Sequence, residues 1–440
     1  MGFFGLGKSN TDILMHLPKE CSVILRSDAR IGSRPKTDAK ICAVYSEKDA
    51  FQNPLEDILI LSPSVRRDRK EFSEFKRAGV KLSSDCELFF AKVRVPVFAV
   101  SGSDGKSTVT SLCASLLSER FPGVRAIGNI GAPMLSSLLD GGDAYAAELS
   151  SFMLSYGRYR VFRGVVTNIT ENHLDWHKDF KEYLTAKLSL FRRTEETVLN
   201  ADDPLSAKYF EGSSPWGVVS NTYSFSELKK LYRAQAFYTL EDGFIRRSGE
   251  PIVSVEAVKR RETHNLKNLT MAFAMSDGYC TRENMRHVAE TFSGLEHRSE
   301  LFFSRDGMDF INSSIDSSPK RTAQTLSSLS KRVIIILGGK GKNLSYEPLK
   351  EPLKRWAKLA VISGENGELI EETVKDCCPI IRASDIESGT LIALKLMESG
   401  DTLLLSPAST SFDRYTSFEQ RGKKFKEIIH GYFESESENP

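Results

Sequence analysis

Short runs rich in Val, Ile and Leu recur along the chain, and each is followed by a polar or glycine-containing turn and then by a helical pattern. Continuous apolar runs that alternate with helices are typical of parallel strands covered on both faces of a sheet. The pattern therefore predicts an α/β fold throughout. The clearest predicted strands are Asp57–Leu61, Val95–Val100, Gly164–Ile169, Val333–Leu337, Leu359–Ile362 and Thr402–Leu405.

Two breaks in this pattern divide the chain, one at Phe89–Arg94 and one at Gly294–Arg298. At roughly 100 to 200 residues per domain, 440 residues allow two to four domains with a core in each. We expect three domains, at residues 1–92, 93–298 and 299–440. The last residues, Glu434–Pro440, are acidic and predict a disordered tail.

Composition and charge narrow the classes of function. Hydrophobic residues make up 40% of the chain and charged residues 27%, which excludes a disordered or fibrous protein. The net charge of +2 is too small for a protein that binds nucleic acid through a basic surface. The seven cysteines have neither a C-x-x-C pair nor a zinc-ligand spacing, which fits a reducing compartment. Since no membrane-spanning apolar stretch or signal peptide is visible, we expect a cytoplasmic protein without membrane insertion. We also expect a monomer.

The first candidate for chemistry follows the predicted strand Val95–Val100. The segment Ser101–Thr108 reads SGSDGKST, and a helix with one apolar face is predicted to start within it. A strand, a glycine-containing loop and a helix in this order wrap backbone N–H groups around phosphates. Lys106 would reach the outer phosphates and Ser107 a magnesium ion. The usual first glycine of this motif is replaced by Val100.

Two further strand ends carry groups that bind metal ions. Glu148 follows one apolar strand, and the segment after Gly164–Ile169 contains His173, Asp175 and His177. Sheets of the α/β class place ligands at the carboxyl ends of their strands. From the residues alone, Glu148 also fits a solvated turn, and the segment around His173 also fits a polar helix start.

Lys187 lies inside the apolar stripe of a predicted helix, Lys181–Phe191, four residues after Tyr183. Burial of an unpaired ammonium group is costly, so this side chain must extend to solvent, find a partner or be modified. A lysine with a lowered pKa that becomes carbamylated would be an anionic oxygen ligand for a hard cation. The residues alone leave these three alternatives open.

Other polar loops follow strands at both ends of the chain. Gly338–Lys342 follows Val333–Leu337 and is cationic, and Ser406–Asp413 follows Thr402–Leu405. Near the N-terminus, Gly5–Asn10 reads GLGKSN and resembles a dinucleotide-binding loop that lacks its third glycine.

Taken in order, these motifs resemble those of the Mur ligases, amide-forming enzymes of bacterial cell-wall synthesis. The resemblance covers nearly the whole chain and includes GSDGKST from Gly102, GNIG from Gly128, ELSSF from Glu148, TNITENH from Thr167, YLTAK from Tyr183, NADDP from Asn200, HNLKN from His264, GLEHR from Gly294, GGKGK from Gly338, LSPASTSFD from Leu405 and FEQRG from Phe418. Several ordered motifs are more specific than any single one. The last two resemble the members that add D-glutamate.

The resemblance implies three α/β domains. These are a Rossmann-like N-terminal domain that holds UDP, a central P-loop ATPase-like domain with a parallel sheet, and a Rossmann-like C-terminal domain for the amino acid. The implied partners are small molecules, UDP-N-acetylmuramoyl-L-alanine (UDP-MurNAc-L-Ala) and D-glutamate, with ATP and two Mg²⁺ ions. ATP would phosphorylate the alanyl carboxylate, and the amine of D-glutamate would attack the acyl phosphate.

The resemblance also assigns residues to these partners. Lys106, Glu148, His173 and Lys187 would be catalytic. Metal ligands would be Ser107, Glu148, His173 and a CO₂-derived carbamate on Lys187. ATP would contact Gly102, Ser103, Asp104, Gly105, Lys106, Ser107, Thr108, Asn268 and Arg298. The UDP substrate would contact Leu6, Lys8, Ser9, Asp28, Asn129 and Ser150, and D-glutamate would contact Ser317, Lys342, Ser411, Phe412 and Phe418.

Some positions depart from the family's pattern. Ser313 and Ile315 stand where an acid and a lysine are usual, and Asn172 stands where an Asp usually precedes the histidine. Two other functions therefore stay open. One is a related amide-forming ligase with another acceptor, such as a folylpolyglutamate synthetase-like protein; the other is a nucleotide-binding scaffold that has lost catalysis.

Overall fold

A computed structural model describes residues 1–29, 31, 35–157, 159–174, 176–329, 331–341 and 344–438, without the side chains of residues 8 and 435–438. The chain divides into two compact units, Met1–Phe292 and Ser293–Pro440. Each unit is built from parallel strands with helices between them. Within the described residues, no helix has both the length and the apolar character needed to cross a bilayer.

The first unit begins with a parallel sheet. Its strands are β1 (Gly2–Phe4), β2 (Ser22–Ser27), β3 (Lys40–Ser46), β4 (Ile58–Leu61) and β5 (Lys81–Ser83), and its helices are α1 (Lys8–Met15), α2 (Ser73–Arg77) and α3 (Asp85–Lys92). The strand order is β3-β2-β1-β4-β5, and every pairing is parallel. The order reverses at β1, and ligands of doubly wound sheets bind at such a reversal.

The same unit contains a larger central sheet. Its strands are β6 (Val97–Ser101), β7 (Arg125–Gly128), β8 (Tyr145–Glu148), β9 (Val161–Val166), β10 (Thr194–Asn200), β11 (Gly217–Ser220), β12 (Ala236–Glu241), β13 (Phe244–Arg247) and β14 (Glu250–Ser254). Its helices are α4 (Lys106–Leu117), α5 (Ser136–Leu139), α6 (Ser151–Leu154), α7 (Phe180–Leu188), α8 (Pro204–Tyr209), α9 (Phe225–Leu231), α10 (Thr263–Ser276) and α11 (Arg282–Thr291). The order is β14-β13-β12-β11-β10-β9-β6-β8-β7, so β6 lies between two strands that follow it in the chain.

The second unit has one sheet. Its strands are β15 (Glu300–Arg305), β16 (Met308–Asn312), β17 (Val333–Gly338), β18 (Ala357–Ser363), β19 (Ile380–Arg382) and β20 (Thr402–Leu405), and its helices are α12 (Pro319–Ser327), α13 (Lys350–Trp356), α14 (Gly367–Val374), α15 (Ile386–Leu396) and α16 (Phe418–Glu438). The order is β15-β16-β20-β17-β18-β19, and only the β15–β16 pairing among these described strands is antiparallel.

The predicted α/β class is confirmed, and two local predictions are wrong. The strand expected at Gly164–Ile169 is β9, which begins and ends three residues earlier. The prediction missed its start because the strand includes a buried arginine, Arg163, which hydrogen-bonds to Glu196 at 2.5 Å. The tail expected to be disordered continues α16 to Glu438. Glutamate is a good helix former, and Phe433, 3% exposed, anchors the last described turns in the core. The boundaries of the three domains stay a prediction.

Candidate active site

The loop after β6 has the backbone geometry of a phosphate-binding loop. Gly102 has a φ of +139° and Gly105 a φ of +78°, both in regions that favour glycine. α4 then begins at Lys106, so the free N–H groups of its first turn lie at the loop. The predicted order of strand, loop and helix is confirmed.

Two residues that follow β9, Thr167 and Asn168, hold this loop. Thr167 Oγ1 donates to Asp104 O at 2.5 Å, and Asn168 Nδ2 donates to the same carbonyl at 3.1 Å. Asn168 Oδ1 accepts from Asp104 N at 3.0 Å. A Cβ on Gly102 would overlap the Thr167 side chain, so the loop and the strand end are in close contact. The sequence predicted both residues inside the strand Gly164–Ile169 and did not reveal this role.

The first turn of α4 contains Lys106, Ser107 and Thr108. Lys106 Nζ donates to Ser103 O at 2.8 Å, so its ammonium group is folded over the loop. Ser107 is buried, and Asn268 on α10 packs against the loop because a Cβ on Gly105 would overlap its Oδ1. The structure thus brings together the predicted ATP-binding residues of the first unit.

Glu148 is the last residue of β8 and is fully buried beside β6. Its Oε1 accepts a hydrogen bond of 2.6 Å from Asn129 Nδ2. Its Oε2 is buried and has no hydrogen-bond partner among the described residues. A solvated turn is therefore excluded for Glu148. A buried carboxylate oxygen without a donor fits a ligand for a hard cation such as Mg²⁺. Asn129, expected at the UDP substrate, is a hydrogen-bond partner of this carboxylate, and its contact with the substrate stays a prediction.

Lys187 on α7 is 2% exposed, so its side chain does not extend to solvent. Its Nζ donates to Gly102 O at 2.5 Å and lies 4.8 Å from the centre of the Tyr183 ring. No ion pair joins it to a carboxylate in the described part of the chain. Burial, and then the charge of Lys106, hold the pKa of Lys187 well below its usual range. Extension to solvent is therefore excluded, whereas a partner, Gly102 O, and modification of the amine stay open.

His173 has a φ of +55°, which is uncommon for a residue other than glycine. Its ring lies 5.1 Å from that of Phe152, and its carbonyl accepts from His177 N at 2.9 Å. His177 is buried, and its Nε2 is 3.0 Å from Ser151 Oγ. Burial lowers the pKa of His177. Asp175 lies outside the described residues.

The residues expected at the UDP substrate lie at several places in the first unit. Leu6 and Ser9 belong to the turn and helix after β1, where Lys8 begins α1. Asp28 follows β2 and accepts from Arg69 Nη1 at 2.6 Å, and both line an open cavity of about 600 Å³. Ser150 accepts from Met153 N at 3.3 Å and thereby caps α6.

The residues expected at D-glutamate, and Arg298, lie in the second unit. Ser411 is buried, Ser317 is half-buried, and Phe412 is 64% exposed. Phe418 begins α16, and its ring packs edge-on at 5.9 Å from that of His297. Lys342 lies outside the described residues.

A buried arginine beneath these residues was not predicted. Arg421 is fully buried, and its Nη2 donates to Ser314 O at 2.9 Å and to Ser409 O at 3.0 Å. Within the described residues its Nε and Nη1 have no hydrogen-bond partner. Burial lowers the pKa of Arg421 to about 10. Its only sequence signal is its place in the FEQRG motif.

Comparisons with known proteins agree with this geometry. Residues 100–276 match the Mur ligase middle domain. The chain is 34% identical over 386 residues to a UDP-N-acetylmuramoylalanine--D-glutamate ligase of Clostridium botulinum (strain Kyoto / Type A2), covering 85% of this chain and 82% of the relative. It is 33% identical over 449 residues to the enzyme of that name from Acetivibrio thermocellus, covering 97% and 95%.

Solved structures share the fold at lower identity. UDP-N-acetylmuramate-alanine ligase MurC from Thermotoga maritima has a TM-score of 0.61 at 16% identity, with 99% of each chain covered. A pseudomurein peptide ligase type C from Methanothermus fervidus has a TM-score of 0.52 at 15% identity, with 98% of this chain and 99% of that chain covered. The arrangement of strands and helices is therefore that of known ligases.

Proposed function

The chain belongs to the Mur ligase family, and we propose that it joins D-glutamate to UDP-MurNAc-L-Ala with the hydrolysis of ATP to ADP and phosphate. One observation carries the proposal: a phosphate-binding loop, a buried carboxylate and a buried lysine meet at the carboxyl end of the central sheet. The relatives named above supply the identity of the two substrates. We propose further that the protein acts as a cytoplasmic monomer in peptidoglycan precursor synthesis.

The first step brings together two anions, ATP and the alanyl carboxylate, so the site must neutralise their negative charge. The alanyl carboxylate attacks the γ-phosphorus of ATP, which gives an acyl phosphate and ADP. The amine of D-glutamate then attacks the acyl carbon, the amide bond forms and phosphate leaves. Lys106, folded over the loop, binds the β- and γ-phosphates, while the N–H groups at the start of α4 hold the phosphates in position.

Mg²⁺ fits the oxygen groups beside this loop. Ser107 is buried in the first turn of α4, and Glu148 Oε2 is buried without a donor in the described residues. We assign these two residues to one ion and His173 with Lys187 to a second. Bound Mg²⁺ would neutralise phosphate charge.

The second assignment requires Lys187 to be a carbamate. Its lowered pKa leaves the amine neutral more often than in an exposed lysine. The neutral amine adds to CO₂ and loses a proton, which gives an anionic carboxylate on nitrogen. That anion replaces the repulsion between Lys187 and Lys106 by attraction. The buried position of Lys187 supports this modification.

The substrate contacts follow the two units. We assign the UDP group to the turn with Leu6, Lys8 and Ser9 and to the cavity beside Asp28. D-glutamate is assigned to Ser317, Lys342, Ser411, Phe412 and Phe418 in the second unit. The buried Arg421 supplies positive charge beneath the loop that contains Ser411, which favours a dicarboxylate.

Phosphate release from ATP tests the proposal. We expect release only when UDP-MurNAc-L-Ala and D-glutamate are both present, with L-glutamate as the matched control. Equal rates with L-glutamate, or with a folate acceptor, would contradict it and favour a related ligase. Nucleotide binding without any turnover would favour a scaffold.

A further inference from the structure

A loop of the first sheet contacts the segment that contains His173. This loop, Ser62–Arg69, follows β4 at the point where the strand order reverses. Arg66 Nη1 donates to Trp176 O at 2.6 Å, and the guanidinium carbon lies 4.9 Å from the centre of the Trp176 ring. In return, Trp176 Nε1 donates to Ser64 O at 2.7 Å. The two segments thus hold each other through two hydrogen bonds and a cation–π contact.

Arg66 also fixes the start of α7, the helix that contains Lys187. Its Nη2 donates to Glu182 Oε1 at 2.8 Å and its Nη1 to Glu182 Oε2 at 3.1 Å, an end-on bidentate contact. Glu182 Oε2 accepts in addition from Lys178 N at 2.6 Å. The Arg66 side chain is 17% exposed, so water competes weakly for these bonds. One guanidinium therefore holds both ends of the segment from Trp176 to Glu182.

His173 depends on this segment for its conformation. Its carbonyl accepts from Trp176 N at 3.1 Å, and its φ of +55° is a backbone conformation that residues other than glycine keep only where their surroundings hold it. The ring of Phe152 contacts both the His173 ring, at 5.1 Å, and the Trp176 ring, at 4.5 Å. Displacement of Trp176 would therefore release the backbone of His173.

The other end of the loop lies against the turn assigned to the UDP group. Ser62 N donates to Phe4 O at 2.9 Å. A Cβ on Gly5 would lie 3.1 Å from Ser62 Cβ and 3.5 Å from Val65 Cγ2, and a Cβ on Gly7 would lie 3.2 Å from Ser62 Oγ. A ligand that orders this turn thus acts on a loop that continues directly to Arg66.

We propose that Arg66 is a positioning residue that couples the two sites, so that a UDP-linked substrate in the first domain tightens metal binding at His173. The inference rests on the proposed function, because that function places the substrate and the metal. It adds a residue outside both sites, which acts through Trp176 and Glu182. Coupling of this kind is reciprocal, so metal binding would tighten substrate binding by the same factor.

The test measures binding without turnover. Mn²⁺ is titrated into protein that holds a non-hydrolysable ATP analogue, with and without UDP-MurNAc-L-Ala, and free Mn²⁺ is followed by electron paramagnetic resonance. In the wild-type protein we expect the substrate to tighten Mn²⁺ binding about five-fold or more. In Arg66→Ala the effect of the substrate should disappear, and in Arg66→Lys, which keeps the charge but not the bidentate contact, it should be reduced.

Two further variants keep the test decisive. Trp176→Phe removes the hydrogen bond to Ser64 but keeps the ring, and it should also weaken the coupling if Arg66→Ala fails to fold. Arg282→Ala removes an exposed ion pair with Glu250 elsewhere in the unit and should keep the wild-type coupling. Coupling retained in Arg66→Ala, or absent from the wild-type protein, overturns the inference. Failure of UDP-MurNAc-L-Ala to bind the wild-type protein overturns the proposed function as well, which distinguishes the two results.

Discussion

The first unit contains two sets of buried charged residues, and they differ in whether their hydrogen-bonding groups are satisfied within the protein. In the first sheet, Arg26 and Glu56 are both fully buried and form a bidentate pair at 2.6 and 3.0 Å. The remaining N–H groups of Arg26 donate to the carbonyls of Ala50, Gln52 and Asn53. All five donors of this guanidinium are therefore used within the protein.

The central sheet contains a lysine and a carboxylate that do not pair. Lys187 Nζ donates to Gly102 O, and Glu148 accepts from Asn129 at one oxygen and from no described residue at the other. Buried polar groups are normally satisfied, so exceptions require an explanation. The Arg26 pair is thus satisfied within the protein, whereas Glu148 keeps a buried oxygen without a described donor, which fits the metal site proposed above.

Arg26→Met should cause the largest change, and it should affect stability. It leaves Glu56 buried without a counter-ion, so we expect the free energy of unfolding to fall by about 3–5 kcal/mol in urea denaturation. The double variant Arg26→Met, Glu56→Leu should recover most of the loss. Arg282→Met, at an exposed pair, should change the free energy of unfolding far less, because water already solvates both charges. Equal losses in the two single variants would remove the distinction between the buried and the exposed pair.

Lys187→Ala should affect turnover instead. Loss of the charged ligand should lower kcat about 10²- to 10³-fold, measured as phosphate release. Added formate or acetate should restore part of the rate by supplying a carboxylate in the space vacated. Lys181→Ala, an exposed position on the same helix, is the matched control and should retain full activity. An unchanged rate in Lys187→Ala would show that this lysine, like Arg26, serves the fold and not turnover.

Asn129→Ala tests whether the Asn129 side chain orients Glu148 or contacts the UDP substrate. Because Asn129 orients Glu148, we expect the Mg²⁺ concentration for half-maximal activity to rise about 10- to 100-fold. The KM for UDP-MurNAc-L-Ala should stay close to the wild-type value. The opposite result, a raised KM with unchanged Mg²⁺ dependence, would support the substrate contact expected from the sequence.

The smallest effect concerns pH and the unmodified lysine. The pKa of Lys187 in the folded state lies below that in the unfolded state, so the unfolded chain binds more protons between the two values. In CO₂-free buffer the stability of the wild-type protein should therefore rise with pH in this window, by at most about 1.4 kcal/mol per pH unit relative to Lys187→Met. Urea denaturation between pH 7 and about 9.5 measures the difference. Parallel pH profiles of the two proteins would contradict it.

Local patterns predicted the elements whose signals lie within a few residues. The strand expected at Thr402–Leu405 is β20 without change, because its three leucines form a continuous apolar run and all four of its residues are buried. The strand β9 was misplaced because a buried arginine, Arg163, interrupts its apolar run, and its partner Glu196 lies on the next strand. Burial of an ion pair depends on tertiary contacts that no local pattern contains.

The candidate site was predictable to a similar degree. The position of Lys187 in an apolar stripe indicated burial, and the loop from Gly102 to Ser107 has the expected backbone. The contact of Asn129 with Glu148 follows from the parallel pairing of Gly128 with Glu148, which joins two strands across an intervening helix. Such registers depend on the whole sheet. The link from Arg66 to Trp176 spans a still longer separation in the chain and had no sequence signal.

The place of β6 in its sheet has a consequence for synthesis of the chain. β6 leads into the phosphate-binding loop, yet its partners β8 and β9 end at Glu148 and Val166. A ribosome that adds about 5–20 residues per second needs several seconds to supply them after Ser101 has been made. During this interval at least one edge of an apolar strand lacks its partner, and such edges are prone to aggregate. The strand that leads into the phosphate-binding loop is therefore one part of the nascent chain that benefits from protection by chaperones.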